Sequence, residues 1–244
     1  MSRFWADREG IGLWGAPQVV LPEPAPTTPN VVFYLVDTLR ADHLGVWGSE
    51  VAGVSPNLDR LAREGAVFGM TLAASPWTKP SIPTVMTGLW PTTHRVGATA
   101  YTDVLPAGVP IVQERFTAAG WRTGSFSASP LGSTLSGLER GFDTVVPPHH
   151  WRGKMLDLRH VTAGQLHEAF FEWVDERPDE PFFGYIHTLE VHGWRRSLYE
   201  DPPEGYERYD YAVQDADAAI GELLDGLRER GLLDDTLIVV VSDH

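Results

Sequence analysis

The sequence predicts a doubly wound α/β fold, a mostly parallel sheet with helices on both faces. Three observations lead there. Val31 to Val36, Thr123 to Ser127, Phe182 to His187 and Leu237 to Val241 are rich in β-branched and aromatic residues and run as buried parallel strands do. Between them lie stretches with apolar residues at three-to-four spacing. Strand and helix patterns alternate, the arrangement that places ligands beyond the carboxyl ends of the strands.

Taken in order, residues 1–29 hold Pro17, Pro22, Pro24, Pro26 and Pro29, too dense for helix or inner strand, and read as a Pro-rich lead-in or linker. The folded domain spans 30–244 and opens with the strand Val31 to Val36. Ser55 and Pro56 supply an N-cap and first-turn proline for a helix that buries Leu58, Leu61 and Ala62 and stops at Gly65. Pro80 suits the first turn of a second helix that Gly88 ends. Further helices are expected over 109–119 and 163–176. A longer one carries Tyr209, Val213, Ala216, Ile220, Leu223, Leu224 and Leu227 and ends at Gly231.

Composition narrows the chemistry. The 244 residues carry 43% hydrophobic side chains, enough for a sizeable core, and a formal charge of -14, a field that repels nucleic acid. An anionic substrate then requires a local cationic centre. The absence of cysteine excludes disulfides, thiolate metal sites and a cysteine nucleophile. No stretch approaches the ~18 apolar residues of a membrane span, and the first thirty residues lack a signal-peptide pattern. With Met1 as the true start the protein is expected in the cytoplasm; a missing N-terminal segment would make it membrane-anchored or extracytoplasmic.

The candidate chemistry sits at strand ends. The first strand runs into Asp37, and the last into Ser242, Asp243 and His244, which offers oxygen and nitrogen ligands together. Between them, Thr78 stands at the start of the helix carrying Pro80, either as an ordinary N-cap or as a hydroxyl among N–H groups that attract phosphate or sulfate. A threonine hydroxyl becomes a competent nucleophile when a metal lowers its pKa. Lys79, beside it, could supply positive charge to a substrate oxyanion. His149 and His150 follow two prolines and read as loop.

An ordered series of segments carries a resemblance: Pro29-Asn30-Val31-Val32, Asp37-Thr38-Leu39-Arg40-Ala41-Asp42-His43-Leu44-Gly45, Ser55-Pro56-Asn57-Leu58 through Gly65, Thr87-Gly88-Leu89-Trp90-Pro91, Gly120-Trp121-Arg122-Thr123, Arg140-Gly141-Phe142-Asp143 and Gly231 to Thr236. Over residues 29 to 244 the chain resembles the sulfatase family of the alkaline phosphatase superfamily. The resemblance implies an alkaline phosphatase/sulfatase-like catalytic domain, truncated on its C-terminal side because members continue past this point with a C-terminal subdomain.

It also implies roles. In the family pattern Cys/Ser-x-Pro-x-Arg, Thr78 takes the nucleophile slot, Pro80 the proline and Ile82 the arginine position. Threonine cannot give the formylglycine aldehyde of sulfatases, and it resembles the phosphodiesterase and lipoteichoic-acid-synthase-like branches. An alternative register uses Ser81 and Pro83. Thr38 replaces a frequent second aspartate, which fits one Mn or Zn ion held by Asp37, Thr78, Asp243 and His244, with Ca or Mg open and a second ion possible if further ligands are supplied. The segment His187 to Trp194 resembles the one whose histidine touches the substrate or a second ion, making His192 the stronger candidate and His187 and Glu190 weaker ones. Arg40 and His94 lie in family-like segments without an assigned role.

The expected function is hydrolysis or transfer of a phosphate or sulfate ester of a small molecule, lipid or glycan by metal-bound Thr78. The alternatives are a formylglycine-type sulfatase and a catalytically silent scaffold of the same fold.

Overall fold

The computed structural model describes residues 28–97, 100–146, 161–195 and 207–244. Most of the Pro-rich lead-in and the pair His149-His150 lie outside the described residues. Five strands form one sheet: β1 (Asn30–Val36), β2 (Arg122–Ser127), β3 (Thr144–Val146), β4 (Phe182–Thr188) and β5 (Thr236–Ser242), in the order β3-β2-β4-β1-β5. Every pairing is parallel. Four strands stand where the apolar runs predict them. β3 was not predicted, because three residues before Pro147-Pro148 are too few to show a period.

Alternation along each strand sorts the sheet into two faces. Val32, Tyr34, Val36, Phe126 and Ile186 pack with α1 (Pro56–Glu64), α5 (Ala163–Asp175) and α6 (Arg208–Glu229). Val31, Leu35, Phe183 and Tyr185 pack with Ile82 and Met86 of α2 (Thr78–Thr87), and partly buried residues of α4 (Val112–Ala118) join them. A short α3 (Pro91–His94) follows α2. The sheet is therefore covered on both sides, as its two-faced apolar strands require.

Helix ends differ from the sequence reading in instructive ways. Ser55 occupies the N-cap of α1, but its hydroxyl does not cap the helix: it accepts the Gly45 N–H at 2.9 Å and donates to Asp59 at 3.2 Å. The cap comes from α6 instead, where Asp217 takes the N–H groups of Asn57 and Leu58 at 3.1 and 2.8 Å. Helix α2 begins at Thr78 with Pro80 in its first turn, as expected, but Thr78 is its first residue and not its N-cap. Its N-cap is Trp77, extended at φ -157°, and Gly88 ends it in the left-handed region at φ 71°. Pro83 inside α2 removes one helical N–H, while Thr84 and Thr87 return side-chain hydrogen bonds to the carbonyls of Pro80 and Pro83.

Candidate functional site

The same alternation builds the site. In register, Leu35 pairs with His187 on one side and Val241 on the other, and His187 pairs with Ser127. These positions point to the α2 face, so two residues further on Asp37 and Asp243 emerge side by side on that face at the carboxyl end of the sheet. Helix α2 packs below them and delivers its first residue, Thr78.

The Thr78 hydroxyl, buried, donates to Asp37 Oδ2 at 3.2 Å. His187 Nε2 lies 3.1 Å from the same oxygen, and its Nδ1 lies 3.1 Å from Ser127 Oγ. Asp243 Oδ1 accepts the Thr38 N–H at 3.1 Å. His244 Nδ1 stands 3.0 Å from Asp243 Oδ2, an ion-pair distance without hydrogen-bond alignment. Burial pushes the Asp243 carboxyl up, but contact with His244 and the charges of His187 and His244 outweigh it and hold the group below its usual range. For His244 burial acts downward, and Asp243 followed by Asp37 raises it overall.

Asp37, Asp243 and His244 offer ligand atoms that all lie within 4.8 Å of one another. Among the described residues Asp37 Oδ1, Asp243 Oδ2 and His244 Nδ1 are also buried atoms with no hydrogen-bond partner. Buried carboxylate oxygens left in this way are costly unless a cation satisfies them. The residues therefore fit a divalent ion, with two hard oxygen donors and one imidazole.

The other predicted residues fall elsewhere. Lys79 is buried beside Thr78 in sequence, but its ammonium binds the Leu135 carbonyl and lies 5.6 Å from the Tyr101 ring centre, and burial lowers its pKa despite Asp103. Ser81 Oγ donates to the Ser75 carbonyl at 2.9 Å, which ties down the segment entering α2. Glu190 accepts the Ala163 N–H at the start of α5, and its burial raises its pKa. His192 is exposed in a 3-10 turn over His192–Arg195, beyond the end of β4. His94 is buried between the Thr84 hydroxyl and the Val96 N–H, and Arg40 is exposed and paired with Asp42. Ile82, at the position where the resemblance implies arginine, is fully buried in the core. Among these, the structure brings His187 to the Asp37–Thr78 pair and leaves His192 outside those hydrogen bonds.

Two participants escaped the sequence reading. Ser127 ends β2 as Asp37 follows β1, and strand-end position was the signal that could have found it. Gly132 has no such signal: a Cβ there would meet His187 Nδ1 at 2.3 Å and Ile82 Cδ1 at 2.9 Å, so only glycine lets the chain close over the histidine.

Comparison with known proteins places this geometry. Over 227 residues the chain is 29% identical to the low-salt glycan biosynthesis sulfotransferase Agl7 of Haloferax volcanii, covering 88% of this chain and 46% of that protein. It is 26% identical over 282 residues to human N-acetylgalactosamine-6-sulfatase, covering 96% and 52%. The chain thus spans about half the length of these relatives. A crystal structure of an alkaline phosphatase superfamily protein from Vibrio parahaemolyticus superposes with a TM-score of 0.67 at 24% identity, covering 88% of this chain and 54% of that one. Among the described residues no helix is long and apolar enough to cross a membrane. The Sulfatase family model matches residues 29–244, and with the fold and the strand-end cluster in place, the chain belongs to the sulfatase family.

Proposed function

We propose that this chain carries the nucleophile and the principal metal ligands of an enzyme that hydrolyses or transfers a phosphate or sulfate ester. The carrying observation is the hydrogen bond from the Thr78 hydroxyl to Asp37 Oδ2 at 3.2 Å, beside three buried, unpartnered ligand atoms. Asp37, Asp243 and His244 hold one divalent ion in this reading, with Thr78 Oγ1 as a fourth ligand; Mn or Zn fits the mixed oxygen and nitrogen set, and Ca or Mg suits its carboxylates. When bound, the ion supplies positive charge that acidifies a hydroxyl and draws anionic ester oxygens into an acidic protein.

Thr78 Oγ1 attacks phosphorus or sulfur in line with the departing alkoxide, its proton passing to Asp37 Oδ2. The bond to the leaving alcohol breaks as the bond to Thr78 forms, and water or an acceptor alcohol later releases the group from Thr78. The N–H groups of Thr78 and Lys79, in the first turn of α2, lack intrahelical partners and are available to the transferred anion in this reading. His187 holds Asp37 Oδ2, and the exposed His192 stands beyond the same sheet end, available to ester oxygens in this reading.

Both curated relatives bear names that denote sulfuryl chemistry on glycans, which supports a sulfated glycan as the ester class. Thr78 and Ile82, in place of the formylglycine precursor and arginine, support direct attack by the hydroxyl. Ser81 supports the formylglycine reading poorly, since its hydroxyl is bound to the Ser75 carbonyl. The test is turnover of aryl phosphate, aryl phosphodiester and aryl sulfate by the protein carrying this chain, before and after Thr78→Ala. Loss of the favoured activity is expected, and unchanged turnover would sink the assignment. Peptide mass spectrometry over 75–88 decides the aldehyde alternative, and absence of stoichiometric divalent-ion binding would favour a silent scaffold.

A further inference from the structure

The turn after β1 is bent in a way its residues do not favour by themselves. Thr38 has φ 61°, in the left-handed region, and Thr38 and Arg95 are the two non-glycine residues with positive φ among the described residues. A β-branched residue is strained there, so surrounding contacts must impose the conformation. Tyr209, near the start of α6, supplies them from both ends of the turn. Its hydroxyl donates to the Thr38 carbonyl at 2.7 Å and accepts the Arg40 N–H at 2.8 Å. The ring is itself anchored edge-on against His43 at 4.6 Å, and His43 is bound to Asp210 of the same helix.

What the bent turn achieves is specific. It aims the Thr38 N–H at Asp243 Oδ1, 3.1 Å away, and so occupies one carboxylate oxygen while Oδ2 keeps no hydrogen bond and faces His244 Nδ1 at 3.0 Å. Rotation of that carboxylate would exchange the two oxygens and blunt the ligand set. We propose that Tyr209 is a positioning residue for the metal centre, acting through the Thr38 peptide on the orientation of Asp243. The inference rests on the metal-centre reading given under the proposed function.

The experiment is calorimetric titration of the 244-residue chain with Mn(II) chloride, alongside thermal melts without metal. Tyr209→Phe removes one oxygen and keeps the ring. The expected result is binding weakened roughly 10-fold, the lower end for loss of a group that orients a metal ligand. Thr38→Gly, which keeps the backbone N–H and reaches positive φ without strain, gives the reference affinity for the double variant. Combined with Tyr209→Phe it should recover most of the lost affinity, a rescue that a merely structural tyrosine would not show. Asp217→Ala, further along α6, removes the cap on α1 without touching Tyr209 or Thr38, and should lower the melting temperature and leave affinity within about 2-fold.

If the parent chain binds neither Mn(II) nor, in parallel titrations, Zn(II), Ca(II) or Mg(II), the metal-centre reading fails and the positioning role falls with it. If the parent binds and Tyr209→Phe binds equally well, only the positioning role is overturned. Should Tyr209→Phe fail to fold, the double variant decides: relief of strain must restore both folding and binding, and a double variant that does neither overturns the proposal.

Discussion

His187 Nε2 on β4 and Asp37 Oδ2 just past the end of β1 lie 3.1 Å apart, with both side chains almost wholly out of solvent. The contact joins the polar site to the sheet. Truncation by His187→Ala leaves Asp37 Oδ2 with the Thr78 hydroxyl alone and Ser127 Oγ without its ring partner. Urea unfolding without metal should show a loss of at least about 1–3 kcal/mol, the cost of leaving buried polar groups short of partners. A midpoint equal to that of the parent would remove His187 from the site.

Gly132→Ala tests the packing around the same histidine without altering a polar group. The added Cβ would stand 2.3 Å from His187 Nδ1, far inside contact distance. Overpacking of this kind costs about 1–3 kcal/mol. The expected outcome is a lower melting temperature together with slower ester turnover, read by differential scanning calorimetry and a steady-state assay.

Asp243→Asn and Asp37→Asn each replace a charged oxygen donor in the three-residue ligand set. Divalent-ion affinity measured by calorimetry should fall in both, and chelation should lower the melting temperature of the parent more than that of either variant. Equal chelator sensitivity in all three proteins would place the ion elsewhere.

The opposite face of the sheet makes a prediction about acid. His167 Nε2 lies 3.1 Å from the Tyr34 hydroxyl, and burial pushes the imidazole pKa down to about 4 from 6.5. The unfolded chain therefore takes up a proton first as pH falls. Stability contributed by neutral His167 is complete above about pH 6.5 and declines to about pH 4, by up to about 3 kcal/mol. His167→Leu should flatten that part of the stability curve in urea melts at graded pH, at the cost of the hydrogen bond to the Tyr34 hydroxyl.

Much of this arrangement was legible beforehand. Asp37, Asp243 and His244 were readable because a polar residue ending an apolar strand is conspicuous, and period-two alternation puts the two aspartates on one face. Thr78 was readable from its place ahead of Pro80. The relative standing of His187 and His192 was not, because it depends on which way a strand-end ring points and what closes over it, and Gly132 lies far away in sequence. Lys79 and Glu190 show the same limit: their partners, the Leu135 carbonyl and the Ala163 N–H, are backbone atoms that no side-chain pattern announces. Asp217 was hidden for a related reason, since a cap delivered from another helix leaves no mark at the helix it caps.

Among the described residues strand β5 stands at the margin of the sheet and pairs with β1 alone, and its last residues lead directly into two of the three candidate ligands. An ion bridging Asp37 to Asp243 and His244 would therefore act as a clasp across the outermost seam. Amides of β5 should exchange with deuterium by local opening when the ion is stripped and become protected as it is added, so the edge of the sheet and the reactive centre open and close as one cooperative unit. Substitutions that loosen Thr236 to Ser242 would then register first as lost metal, well before the rest of the domain gives way.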